Sequence, residues 1–152
     1  MIFLLSLSIS KKMERTLVIL KPETLTRKLC GFIMSIYEHN GLTPVAMKMF
    51  QPTESPMKDH YSDLIGRLSE ETIQNIVKRM CRSNCIFIIF EGEKVIKTVR
   101  EINGATDPAK AAPGTIRRYA QSISENLVHG SDSVENAERE ISIWFPELSR
   151  HQ

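Results

Sequence analysis

The stretch Cys85–Gly92, CIFIIFEG, constrains the fold of this chain more than any other. An unbroken apolar run of β-branched and aromatic residues, closed by a glycine, reads as the central strand of a sheet. Arg15–Pro22, RTLVILKP, is a second apolar run of β-formers stopped by Pro22, and it delivers Lys21 to the strand's end, where a charge can reach a cleft. Leu42–Phe50 alternates, with Pro44 near its start, and fits an exposed or edge strand.

Helical spacing fills the intervals. From Arg27, the residues Leu29, Phe32, Ile33, Ile36 and Tyr37 recur on one face until His39–Gly41 ends the helix. Ser55–Gly66 begins with an N-cap and a proline at the first helical position. Ser69–Met80 opens with a serine and carries two carboxylates in its first turn. Glu93–Gly104 is amphipathic, with Val95, Ile96, Val99 and Ile102 inward. Residues 105–118 form a long loop with Pro108, Pro113 and Gly114, and Thr106, Arg117 and Arg118 mark it as a working loop. The order of elements predicts an α+β domain with a ferredoxin-like βαββαβ antiparallel sheet and helices packed on one face. The connections are too few and too uneven for a doubly wound parallel sheet.

A chain of 152 residues holds one compact domain, and a charged fraction of 25% with 41% hydrophobic residues excludes a disordered tail. Its net charge of +2 is too small to make nucleic acid the main partner. Cys30, Cys81 and Cys85 are scattered without a second pair of ligands, which argues for reduced thiols in the cytoplasm rather than a zinc site. The opening MIFLLSLSISKK is too short to span a membrane and lacks the basic segment and cleavage site of a secretory signal. Residues 1–12 therefore read as a dispensable extension and 13–152 as a single domain.

Asn126–Ile141, NLVHGSDSVENAEREI, reads as strand, tight turn and helix. Leu127 and Val128 are β-formers, Gly130 permits a sharp turn, and Asp132 with Glu135 approximates a capping box. Ala137, Ile141 and Trp144 or Phe145 give the apolar stripe. His129 then sits at a strand end beside a helix N-terminus, a setting that suits anions. A histidine in such a place is more often structural than catalytic.

Four blocks change that balance: ERTLVILKP, EGEKVIKTVRE, GATDPAKAAPGTIR and NLVHGSDSVENAEREI. Together they resemble the nucleoside diphosphate kinase family from Met13 to about Pro146. The resemblance implies that the γ-phosphate of a nucleoside triphosphate, mainly ATP, passes to a nucleoside diphosphate through a pros-phosphohistidine at His129. It implies that Glu140 orients the imidazole, with Ser131 in the same turn. Lys21, Tyr61, Arg100, Thr106, Arg117 and Asn126 are implied to bind the nucleotide, with Ile123 as one apolar wall for the base. Mg²⁺ is expected to arrive on the nucleotide phosphates, because the chain shows no dedicated carboxylate cage. A homo-oligomer, hexamer or tetramer built from dimers, is also implied, with no membrane partner.

Two stretches depart from the family pattern. RPFF after the tyrosine's helix becomes GRLSEETI (Gly66–Ile73), about three residues longer, so Leu64, Leu68 and Ile73 are the candidates to replace the base-stacking phenylalanine. After Arg117 an expected aspartate is missing, and Tyr119 takes the place of a phenylalanine. The alternative reading is a catalytically weakened member with a regulatory or nucleic-acid-binding role. Retention of the full residue set argues for the enzyme. An unrelated ferredoxin-like RNA-binding module is poorer still, since no aromatic pair marks a central strand as a base-stacking platform.

Overall fold

A computed structural model describes residues 11–149. The expectation for residues 1–12 therefore lies outside the described residues, apart from Lys11 and Lys12. The described chain runs β1 (Met13–Leu20), α1 (Pro22–Thr26), α2 (Cys30–His39), β2 (Pro44–Phe50), α3 (Glu54–His60), α4 (Glu70–Met80), β3 (Cys85–Glu93), α5 (Val95–Asn103), β4 (Val128–Gly130) and α6 (Val134–Trp144), with short 3-10 turns between. The four strands form one antiparallel sheet in the order β2-β3-β1-β4.

β3 and β1 are the inner strands because their side chains are apolar on both faces. On one face Leu17, Ile19, Phe87 and Ile89 pack against Met57, Val77, Ile141 and Trp144. On the other, Val18, Leu20, Ile88 and Phe90 meet Ile33, Tyr37, Val95 and Val99. Helices thus cover both faces, not one: α2 and α5 lie on one side and α3, α4 and α6 on the other. The α+β antiparallel sheet is as expected, and only the one-face placement of the helices differs: α3 and α4, inserted between β2 and β3, bring a second apolar surface that needs its own side of the sheet.

Local boundaries differ in instructive ways. Pro22 ends β1 and also occupies the first turn of α1, where its missing N–H costs nothing. α3 starts after Thr53 and stops at His60, with a 3-10 turn over Ser62–Leu64, so Tyr61 caps the helix end instead of lying within it. Ser69 caps α4, its hydroxyl accepting from the Thr72 N–H. The cap of α6 is Ser133, which accepts from the Asn136 N–H, while Asp132 accepts from the Asn136 side chain. Gly130 makes no turn. It ends β4, and a Cβ there would lie 2.8 Å from Asn103 Nδ2 and 3.1 Å from Val99 Cγ1, so the glycine lets β4 close on α5.

Candidate active site

β4 is only three residues long, pairs with β1 and carries His129 opposite Ile19. Beside it, α6 presents Glu140 from within the core. Glu140 Oε2 lies 3.0 Å from His129 Nε2 and accepts at 2.5 Å from the Ser131 hydroxyl, which in turn accepts from the Leu17 N–H at 3.0 Å. Burial alone would raise the Glu140 pKa, but His129, its hydrogen bond, His60 and Ser131 overturn that and hold it down to about 2. An ionised carboxylate at Nε2 fixes the proton there, so the lone pair of His129 is on Nδ1.

The imidazole borders a cavity of about 350 Å³. Tyr61, Arg100, Thr106, Arg117, His129 and Glu140 all line it. Arg117 is anchored: Nη1 donates to the Gly104 carbonyl at 3.0 Å and Nη2 to the Val128 carbonyl at 2.8 Å. Gly104, at φ +81°, ends α5 so closely against Thr115 that a Cβ would meet its Oγ1 at 2.4 Å. Lys21 and Asn126 do not line this cavity. They form a pair tied to it through Thr106, Lys21 Nζ donating to Asn126 Oδ1 at 2.6 Å, and Asn126 Nδ2 donating to the Thr106 carbonyl at 3.4 Å. Burial pulls the Lys21 amine down to about 8, with Glu23 opposing the shift and Arg117 adding to it.

Sequence reasoning missed His60. Trp144 Nε1–H donates to its Nδ1 at 3.1 Å, and its ring meets that of His129 nearly edge to face, centroids 4.6 Å apart. No local signal could have revealed this contact, because it joins α3 to the end of α6. His60, His129 and Glu140 place ligand atoms within 4.8 Å of one another, which is metal-site spacing. The hydrogen bonds argue against a metal. Trp144 consumes the one lone pair of the neutral His60 ring, so His60 Nε2 carries a proton and has no electron pair to give. That buried Nε2 has no acceptor. Nor do the other carboxylates of the cavity form a cage, since Asp63 pairs with Arg139 and Asp132 receives the Asn136 amide.

The base rim is dispersed. Leu64 lines the cavity, whereas Leu68 and Ile73 line a separate hollow with Ile65. Ile123 is 58% exposed and lines neither. Tyr119 packs edge-on against Phe32 of α2 at 5.1 Å.

The model of the nucleoside diphosphate kinase family matches residues 14–149, nearly all of the described chain. This chain belongs to the nucleoside diphosphate kinase family. It is 41% identical over 138 residues to a nucleoside diphosphate kinase from Clostridium perfringens, covering 90% of this chain and 94% of that one. Against the Nocardioides sp. nucleoside diphosphate kinase it is 45% identical over 135 residues, 88% of this chain and 98% of that one. Among solved structures, the apo nucleoside diphosphate kinase from Encephalitozoon cuniculi superposes with a TM-score of 0.84 at 32% identity, covering 91% of this chain and 93% of that one. The Borrelia burgdorferi nucleoside diphosphate kinase, a transition-state mimic with vanadate and ADP, also gives 0.84, at 35% identity, 92% of this chain and 91% of that one.

The buried histidine has a consequence for acid stability in this nucleoside diphosphate kinase family member. Burial, reinforced by His129 and opposed by Glu140, pushes His60 from 6.5 down to about 3. Between those values the unfolded chain binds a proton that the folded chain refuses, so stability falls as the pH drops, by up to about 1.4 kcal/mol per pH unit. Glu140 adds a loss of the same sign only below its ordinary 4.5, down to about 2. Urea midpoints are therefore expected to decline from pH 6.5 to 4.5 in the native chain. They should be flatter in His60→Asn, whose amide oxygen can still accept from Trp144. An equal decline in both chains would place the proton uptake elsewhere.

Proposed function

We propose that the chain is a nucleoside diphosphate kinase working by ping-pong exchange through His129. The observation that carries this reading is the fixed imidazole: Nε2 is held by an ionised, buried Glu140, and Nδ1 is the free nucleophile beside a cavity lined by arginines. Nδ1 attacks the γ-phosphorus of a nucleoside triphosphate, mainly ATP. The bond from that phosphorus to the β-phosphate oxygen breaks, and the diphosphate leaves. A second diphosphate then attacks the phosphohistidine and reverses the step, which restores the neutral imidazole. The remaining groups position phosphates and offset charge, which is most of what phosphoryl transfer asks of a protein.

In this reading Arg100 and Arg117 bind phosphate oxygens, Thr106 adds a hydroxyl donor and Tyr61 holds the same region. Lys21 supplies charge near the transferred group, and Asn126 meets the sugar and fixes Lys21. Mg²⁺ would arrive on the nucleotide, where it would neutralise phosphate charge. We place the activity in the cytoplasm, in line with three free thiols. We also infer a homo-oligomer assembled from dimers, because β2 leaves an open sheet edge with Val45, Met47 and Met49 exposed along one side.

The test is to mix the protein with ATP labelled at the γ-phosphate, quench, and recover labelled protein. A label stable in alkali and lost in acid is expected; an acid-stable label, or none, would refute the phosphohistidine. The rim gives a second expectation. A missing base–aromatic stack is worth roughly 1–3 kcal/mol and acts equally on ground and transition states. Relative to a family member with the phenylalanine, the diphosphate KM should rise while the maximal transfer rate holds. Half-saturation typical of such a member, together with a collapsed maximal rate, would overturn this.

A further inference from the structure

Leu127, two residues before His129, is fully buried with φ +74°. Leucine gains nothing from a left-handed backbone, since its Cβ crowds the following carbonyl and its side chain cannot form a compensating hydrogen bond. One short segment at the β1–α1 junction holds it there. The Leu127 N–H donates to Glu23 Oε1 at 3.1 Å, and the Leu127 carbonyl accepts from Thr24 Oγ1 at 2.6 Å and from the Lys21 N–H at 2.9 Å. Glu23 and Thr24 are both buried, and the second Glu23 oxygen faces Arg82 Nη2 at 3.8 Å. Immediately before Leu127 is Asn126, the partner of Lys21; immediately after it is Val128, whose carbonyl holds Arg117. Neither Glu23 nor Thr24 lines the phosphate cavity.

We propose that Glu23 and Thr24 are positioning residues for His129. They clamp Leu127 in its left-handed conformation and so set the direction in which the chain enters β4 and the place where the imidazole meets the cavity. The inference rests on His129 as the phosphate acceptor. Released from the clamp, Leu127 relaxes toward negative φ, and the Asn126 and Val128 contacts move apart together.

The test measures single-turnover labelling of His129 by γ-labelled ATP alongside nucleotide affinity. Glu23→Ala and Thr24→Val should each slow labelling by about tenfold or more, a larger factor than the accompanying loss of nucleotide affinity. Glu23→Gln keeps an oxygen for the Leu127 N–H, and Thr24→Ser keeps the hydroxyl, so both should stay within about threefold of the native rate. A glycine at 127 adopts φ +74° without penalty, so Glu23→Ala should cost much less in a Leu127→Gly background than in the native one. Equal losses in both backgrounds, or a Gln variant as slow as Ala, would overturn the clamp; the latter would assign Glu23 to the charge balance of Lys21. If Leu127→Gly does not fold, the Val and Ser variants at Thr24 decide. Amide exchange at Val128 and His129 provides a readout independent of labelling. It should quicken in Glu23→Ala even if the native chain takes no label, a result that would refute the His129 reading alone; unchanged exchange would refute the clamp.

Discussion

His129→Ala is expected to fold and to lose nucleotide exchange and acid-labile labelling together, with turnover falling about a thousandfold or more. The size follows from the chemistry: no other side chain at the cavity offers an unprotonated nitrogen. His60 cannot substitute, because its Nδ1 lone pair is held by Trp144 and its Nε2 is buried and protonated. His129→Gln is the cleaner comparison, since its amide can still donate to Glu140 and spare that buried carboxylate the loss of a partner. Both variants should lose activity alike while the Gln variant melts closer to the native chain. Retention of more than about a hundredth of native turnover in either would show that His129 is not the phosphate carrier.

Arg117→Ala should cost about 100- to 1000-fold in kcat/KM, the range seen when a charge-stabilising donor is removed from a transition state. Part of that loss comes from phosphate binding and part from architecture. The guanidinium joins the carbonyl of Gly104, two residues before Thr106, to the carbonyl of Val128, the residue before His129. One planar fork thus ties the end of α5 to β4 beside the cavity it lines. Lysine has one donor nitrogen where the guanidinium fork has two at fixed spacing, so Arg117→Lys should be nearly as slow as alanine despite keeping the charge. A lysine variant within about threefold of native would show that charge alone is what the position supplies.

Much of this architecture was written locally. The β3 run, the Ser69 cap and the inward set Val95, Ile96, Val99 and Ile102 obey short-range rules, and each sits where those rules put it. Other features depend on partners far along the chain. Leu127 reads as a β-former, yet Glu23 and Thr24 impose a conformation that leucine does not choose. Ser131, Asp132 and Ser133 are all competent caps, and the role falls to Ser133 because Ser131 closes onto Glu140 and Asp132 accepts from the Asn136 side chain. The site divides in the same way. Motif resemblance singled out its charged residues, and the structure gathers most of them around one cavity, with Lys21 and Asn126 joined to it through the Thr106 carbonyl. It could not reveal that His60 completes the environment of His129. The rim was the least legible part, because the altered segment 66–73 carries apolar residues whose destinations the surrounding fold alone decides.

The three-residue strand that bears His129 also dates the site in the life of the chain. β1 pairs along its whole length with β3, but its other edge waits for a partner more than a hundred positions later, Val18 meeting Gly130. On a ribosome, most of the sheet can therefore assemble while the segment bearing His129 is still being synthesised. Non-local pairings of this kind are slow to close. Pairing the first strand with the last brings together the cavity wall, the left-handed link and, once α6 follows, the buried Glu140 that meets His129. Refolding followed by circular dichroism should accordingly run ahead of refolding followed by phosphate transfer, with catalytic competence arriving as the final step of folding.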